Sequence, residues 1–286
     1  MTTATAPAWH LIPADAATFL DRAAPLLRTA SAAHTVVRSV ARNVCGDPAR
    51  YGTETPYFAT YEEADGTVRG LALWTPPYAV LAGPLPESAG AALAETLHGA
   101  GLRPGGVLTT PEAAEEYAKR WTSLTGTPLR PGRRNRLHAL GTLVPHRVPG
   151  RARPATDADA DLLTAWFRGF SADIDERPPS DPVVWTADIL AKGTCLLWET
   201  PGGTPVAMAA RTPATGGSTR VTTVYTPPAH RRHGYAAAVT TAVTEAALAG
   251  GCTEILLNTD VANPTSNALY RRLGYQPVRD FQAWTE

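Results

Sequence analysis

VTTVYTPPAHRRHGYAAAVTTAVTEAALAGG, residues 221–251, is followed at once by TEILLNTDVANPTSNALYRRLGY, residues 253–275. The first block reads as an apolar strand, a basic glycine-containing turn and a long alanine-rich helix. The second reads as a strand, an asparagine-containing loop and a short helix. The turn is Arg231-Arg232-His233-Gly234-Tyr235-Ala236. It opens a helix directly after a strand, where backbone N–H groups are free to hold an anion. Gly234 carries no Cβ and lets a phosphate approach the backbone. Arg231 and Arg232 add positive charge, and the small residues Ala236, Ala237 and Ala238 let the helix pack close to its ligand and its sheet.

These residues resemble the GNAT N-acetyltransferase superfamily. Its acyl-CoA signature is Arg/Gln-x-x-Gly-x-Gly/Ala at a helix start, and Arg231, Gly234 and Ala236 fill those positions. The family also carries an Asn after the next strand and a Tyr in the following helix, matched by Asn263 and Tyr270. The resemblance covers residues 150–286 and implies transfer of an acetyl group from acetyl-CoA to an amine by direct attack. It implies that the amides of Arg232, His233, Gly234, Tyr235, Ala236 and Ala237 receive the pyrophosphate. Backbone groups of Val224, Tyr225 and Thr226 would pair with the pantetheine arm, which Asn263 also adjoins. Tyr270 would be the general acid that protonates the departing thiolate.

The same residues have plainer readings. HRRHGY also suits a solvated helix start, and a Tyr on a short helix also suits packing. Asn before Pro264 suits a turn or a cap, and Ser266 or Thr265 suits the cap of the last helix. For the base that takes the amine's proton, the candidates are Asp260, near the end of a strand, and Asp173, one turn after Phe170. Asp175, Glu176 and Glu199 are weaker ones, and an exposed charge is the alternative for each. Trp166, Phe170 and Trp185 are candidates for the acceptor pocket, although their helical spacing also suits a core. His230 and His233 have no metal-type partners in sequence, so no metal is expected.

At 286 residues the chain accommodates two domains. The C-terminal half runs strand, two helices, three strands, helix, strand, helix, strand. The N-terminal half runs in the same order at a spacing of about one domain, which suggests a tandem duplication. The expected fold is α/β, two tandem GNAT-like domains, each a mixed, mostly antiparallel sheet flanked by helices. The expected divisions are a disordered lead-in at 1–7, a first domain at 8–144, a linker at 145–154 overlapping a first strand, and a catalytic domain at 150–286. Where the C-terminal half has PPAHRRHGYA, the N-terminal half has AGPLPESAGA. It lacks the basic residue and the Gly-x-small spacing. Its second block, TTPEAAEEYAKR, lacks the Asn and keeps only Tyr117. The first domain is therefore expected to bind no acyl-CoA, and to shape the substrate cleft or cap a sheet edge.

With 26 basic and 26 acidic residues the formal charge is zero, so no global field recruits nucleic acid or membrane. No apolar run is long enough to span a bilayer, and MTTATAPAWH lacks the pattern of a signal peptide. Cys45, Cys195 and Cys252 read as buried thiols of a cytoplasmic protein. Abundant Ala, Arg, Gly and Pro fit a high-GC bacterial source. The partner expected is a small-molecule amine, with the chain a monomer or a homodimer. A second reading starts from Arg130, Arg133, Arg134, Arg136, Arg147, Arg151 and Arg153, which cluster near the domain junction. They suit a solvated strand and linker, or a surface facing RNA, an aminoacyl-tRNA donor or an anionic substrate. A non-catalytic CoA-binding module is the third reading.

Overall fold

The strand AWHLIP, β1 (Ala8–Pro13), buries Trp9 in one core cluster and Ile12 in another, three residues on and so on the opposite face, and leaves Ala8, His10 and Pro13 exposed. In the computed structural model, which describes residues 6–174 and 181–286, β1 is joined by strands that are buried almost continuously and by helices with one buried face. The chain divides into two units.

The first unit begins with β1, α1 (Ala16–Thr29), α2 (Thr35–Gly46), β2 (Tyr57–Glu62), β3 (Val68–Trp74) and β4 (Val80–Ala82). It continues with α3 (Glu87–Gly99), β5 (Gly106–Thr109), α4 (Pro111–Thr125) and β6 (Arg130–Leu140) as far as Leu137. The strands β1, β2, β3 and β4 pair antiparallel in succession, and β4 pairs parallel with β5. One face buries Phe19, Val37, Phe58 and Leu71 under α1 and α2. The other buries Leu93, Tyr117 and Trp121 under α3 and α4.

The second unit takes up the chain at His138. It holds β7 (Arg151–Pro154), α5 (Ala160–Asp173), α6 (Pro182–Ala191), β8 (Cys195–Glu199), β9 (Pro205–Arg211) and β10 (Ser218–Tyr225). Then follow α7 (Tyr235–Ala249), β11 (Glu254–Asp260), α8 (Pro264–Arg272) and β12 (Tyr275–Thr285). Again three antiparallel pairings, β7 to β10, lead to one parallel pairing, β10 with β11. The pairing order of the first unit is thus repeated, and each unit is a mixed, mostly antiparallel sheet flanked by helices. Thr156 and Asp159 form a reciprocal capping box ahead of α5. Asp181 caps α6, with Pro182 at its first position.

Two features differ from the sequence reading. The last strand of the first half, expected over LHALGTLV, starts at Arg130 and ends at Leu140. Three of its four arginines are accommodated by acidic partners of the same unit, Arg133 with Asp260 and Arg134 and Arg136 with Asp280, and Arg130 is exposed. The other difference lies in β12. Its first residues, as far as Pro277, belong to the second unit, whereas Val278–Glu286 belong to the first. There β12 pairs antiparallel with β5, Trp284 opposite Val107 and Thr285 opposite Gly106. Asp260–Ala262 are likewise part of the first unit.

Candidate active site

The site is built where β10 and β11 part. Their parallel pairing runs from Ser218 with Glu254 to Val221 with Leu257 and stops there. Beyond it β10 bulges: its register against β9 shifts between Thr222 and Tyr225, and Thr223 sits at φ 44°. A β-branched residue in the left-handed region is a strained conformation. The bulge leaves Val224, Tyr225 and Thr226 unpaired on the β11 side. Thr226 contributes a buried hydroxyl that has no hydrogen-bond partner among the described residues. Its carbonyl accepts from Arg231 Nε at 3.0 Å.

A short turn then leads into α7. Gly234 is the N-cap, at φ 81°, and no side chain caps the helix. The first-turn amides of Tyr235, Ala236 and Ala237 have no carbonyl one turn back. No acidic residue lies in that turn to offset the positive helix end. Arg232 is also left-handed, at φ 65°, and His233 stacks on Tyr235 with ring centroids 5.5 Å apart. Arg231 does not extend freely into solvent: its guanidinium pairs with Asp173 at the end of α5. Asp173 is therefore tied to the turn, and its carboxylate is engaged. Asp260 belongs to the first unit, where it meets Arg133 at 3.4 Å and accepts from the Ala262 amide at 2.8 Å. Asp175 and Glu176 lie outside the described residues. Glu199 is held by Arg151 and Arg153.

The cap of α8 is Asn263, whose Oδ1 accepts from the Ser266 amide at 3.0 Å. Neither Ser266 nor Thr265 is the cap, because Pro264 takes the first helical position and leaves the preceding Asn to cap. Tyr270 lies seven residues after Asn263, partly buried, with its ring edge-on to Tyr275 at 6.1 Å. Burial, with Tyr275 beside it, pushes its phenol above the usual range. Tyr275 in turn bonds the Thr244 hydroxyl of α7 at 2.7 Å. Of the aromatic candidates, Trp166 is core, packed against Tyr225 at 6.2 Å. Trp185 stacks face to face on Phe167 at 4.1 Å, and Phe170 lies 6.4 Å from the same ring. Phe170 and Trp185 remain partly exposed.

A strap that the sequence reading treated partly as strand and partly as linker crosses this site within the second unit. Gly141 and Val144 donate their amides to the carbonyls of Gly274 and Leu273, just after α8. The His146 amide donates to Thr241 Oγ1 on α7, and Arg147 pairs with Glu245 at 2.5 Å. A Cβ at Gly234 would lie 2.7 Å from His146 Nε2 and 2.9 Å from Val148 Cγ1, so the glycine is required by the strap as well as by its φ.

Three further arginines of the junction are also paired: Arg147 with Glu245, Arg151 with Glu199, and Arg153 with Glu199 and Asp159. This neutralises much of the field that an RNA surface would need. Burial, with Asp159 beside it, pushes the Cys195 thiol up to about 12, so it is no nucleophile at neutral pH. Cys195 and Cys252 are buried as expected. Cys45, in the last turn of α2, is exposed, and all three are unpaired. Among the described residues no cluster of His, Cys, Asp or Glu is suited to a metal, and no helix is long and apolar enough to cross a membrane.

Residues 160–275 match the model of the Acetyltransferase (GNAT) family. Among solved structures the chain is similar to a GCN5-related N-acetyltransferase from Sphaerobacter thermophilus. The identity is 18% and the TM-score 0.64, over 99% of this chain and 96% of that one. A Drosophila protein aligns at 14% identity and TM-score 0.68, over 96% and 98% of the two chains. A tandem GNAT protein from the clavulanic acid biosynthesis pathway aligns at 10% identity and TM-score 0.56, over 97% and 98%. At these identities the likeness is one of fold. No curated protein matches.

Proposed function

We propose that this chain, a two-domain GNAT-like protein whose residues 160–275 form its GNAT-family acetyltransferase domain, transfers an acetyl group from acetyl-CoA to a primary amine of a small molecule. The observation that carries this reading is the end of the β10–β11 pairing at Val221 and Leu257, directly ahead of the uncapped start of α7. An extended arm with hydrogen-bonding amides fits the unpaired edge of Val224, Tyr225 and Thr226, where the orphaned Thr226 hydroxyl awaits a partner. A pyrophosphate fits the free amides at Gly234, Tyr235, Ala236 and Ala237, with Arg231, Arg232 and His233 in the turn before them.

In the reaction the amine nitrogen attacks the thioester carbonyl. A C–N bond forms, the C–S bond breaks, and sulfur leaves with the electron pair. Tyr270 supplies a proton to that sulfur. Its raised phenol stays protonated at neutral pH, and a thiolate expelled into equally buried surroundings is raised as well, so it remains a proton acceptor. The surplus proton of the amine leaves to Asp173, directly or through water. Phe170 and Trp185 offer the acceptor an apolar wall. A thiol-release assay with acetyl-CoA against a panel of amines tests the proposal. Turnover with at least one amine is expected, and calorimetric failure of the full chain to bind CoA overturns it.

A further inference from the structure

The N-cap glycine of α7 is flanked by a side chain outside the turn. His146, carried on the strap of residues 141–148, brings its imidazole edge against Gly234: a Cβ there would sit 2.7 Å from Nε2 and 3.5 Å from Cδ2. The position is held from both sides. On one side Gly141 and Val144 bond the carbonyls after α8. On the other, the His146 amide bonds Thr241 at 3.1 Å and the next residue, Arg147, grips Glu245. The backbone of His146 is thereby fixed, whereas its ring nitrogens are in no hydrogen bond among the described residues and the residue is exposed.

We propose that His146 is a further cofactor-binding residue, which donates from Nε2 to the pyrophosphate of the acyl-CoA seated on the first turn of α7. The inference rests on the cofactor reading of that turn. A pinned backbone with an uncommitted donor is an arrangement that binds at little ordering cost. A hydrogen bond to a charged oxygen is among the stronger ones. The strap thus acts as a third wall of the anion site, beside the helix start and the basic turn.

Calorimetry on the full chain with CoA and with 3′-dephospho-CoA tests this. His146→Ala is expected to weaken both ligands by roughly 10-fold, as for a lost bond to a charged group. The melting temperature and the turnover number at saturating acetyl-CoA should be kept, and His146→Gln, which retains a donor, should recover part of the loss. Arg147→Ala loosens the strap without removing the imidazole and is expected to weaken CoA clearly less than His146→Ala does. Unchanged affinity in His146→Ala, or an equal loss in Arg147→Ala, overturns the proposal. So does a loss confined to CoA, which would move the contact to the 3′-phosphate. If wild type binds CoA and only these variants disappoint, His146 alone is misassigned. If wild type binds neither ligand, the cofactor site itself falls, and this inference with it.

Discussion

The turn after β4 and the turn after β10 occupy the same step of the same topology, and their chemistry is opposite. In the second unit the parallel strands part after Val221, and α7 starts bare at Gly234. In the first unit the strands stay joined beyond their last paired residues. Thr109 donates its hydroxyl to the Gly83 carbonyl at 2.7 Å, and Thr110 donates to the Leu85 carbonyl at 3.3 Å. The helix that follows, α3, starts from Pro86 with Glu87 in its first turn, so it carries its own anion. At Gly90 α3 lies so close to α4 that a Cβ would collide with the Ala113 carbonyl. The buried His34 fills the space beside Gly83 in the same way. In the first unit the space between the strands and the helix is thus occupied, and the motif is absent from its sequence.

The coarsest way to break this comparison is to count ligands. Calorimetry of the full chain with CoA should give one site per chain, and two equivalent sites would end the contrast between the units.

Next in size is a matched pair of substitutions. Tyr117 follows the Thr110 cap of α4 at the same distance as Tyr270 follows the Asn263 cap of α8. Tyr117 is fully buried against Trp121, with its hydroxyl unpartnered among the described residues. Tyr270→Phe should lower turnover on the order of 10²-fold with acetyl-CoA affinity kept, the mark of a group used in the transition state. Tyr117→Phe should leave turnover unchanged and stability equal or slightly higher, since it removes an unsatisfied buried hydroxyl. Equal effects on turnover would erase the distinction.

The two units should also respond to acid in different pH windows. His34 is held down to about 4, by burial first and by Arg279 second. Its unfolded value is higher, so the unfolded state binds the extra proton first. The stability it allows is complete above about 6.5 and lost as pH falls towards 4, about 3 kcal/mol in all. Asp159 is held at about 2, chiefly by Arg153. Its contribution, about 2 kcal/mol, is present above the ordinary carboxylate range and lost as pH falls through 2. Melting temperatures against pH should lose the upper limb in His34→Asn and the lower one in Asp159→Asn. Superimposable curves for wild type and both variants would remove this difference.

The smallest effect separates two threonines. Thr226→Val should weaken CoA a few-fold while stability holds, because its hydroxyl is orphaned in the unliganded fold. Thr109→Val should cost about 1 kcal/mol of stability, as it breaks a buried hydrogen bond, and should leave CoA affinity alone. Denaturant titration and calorimetry on both variants separate the outcomes.

What could be read in advance was what is local. The strand, the turn and the helix around Gly234 are contiguous, and each is dictated by its own residues. The spacing from Asn263 to Tyr270 is two helical turns and survives in the fold. The repeated element order was legible for the same reason, since each segment has its own periodicity. Long-range choices were not legible. Nothing in Arg231 or Asp173 by itself announces their pairing. The strand beginning at Arg130 has a charged, unalternating sequence that becomes tolerable only once Asp260 and Asp280 are beside it. The strap owes its place to Gly274, Leu273 and Thr241, none of which is near it in sequence. Asn263 as cap followed from Pro264, a local cue that was read as one option among several.

The placement of Val278–Glu286 in the first unit has a consequence in time. Residues up to Leu137 emerge early during synthesis, whereas the strand that pairs with β5 is made only after nearly all of the second unit. At roughly 5–20 residues per second the wait is on the order of ten seconds. Over that interval the β5 edge stands open, and an open strand edge invites the wrong neighbour. The first unit is therefore begun early and among the last to be finished, and its maturation is clocked by translation of the half that matches the GNAT family.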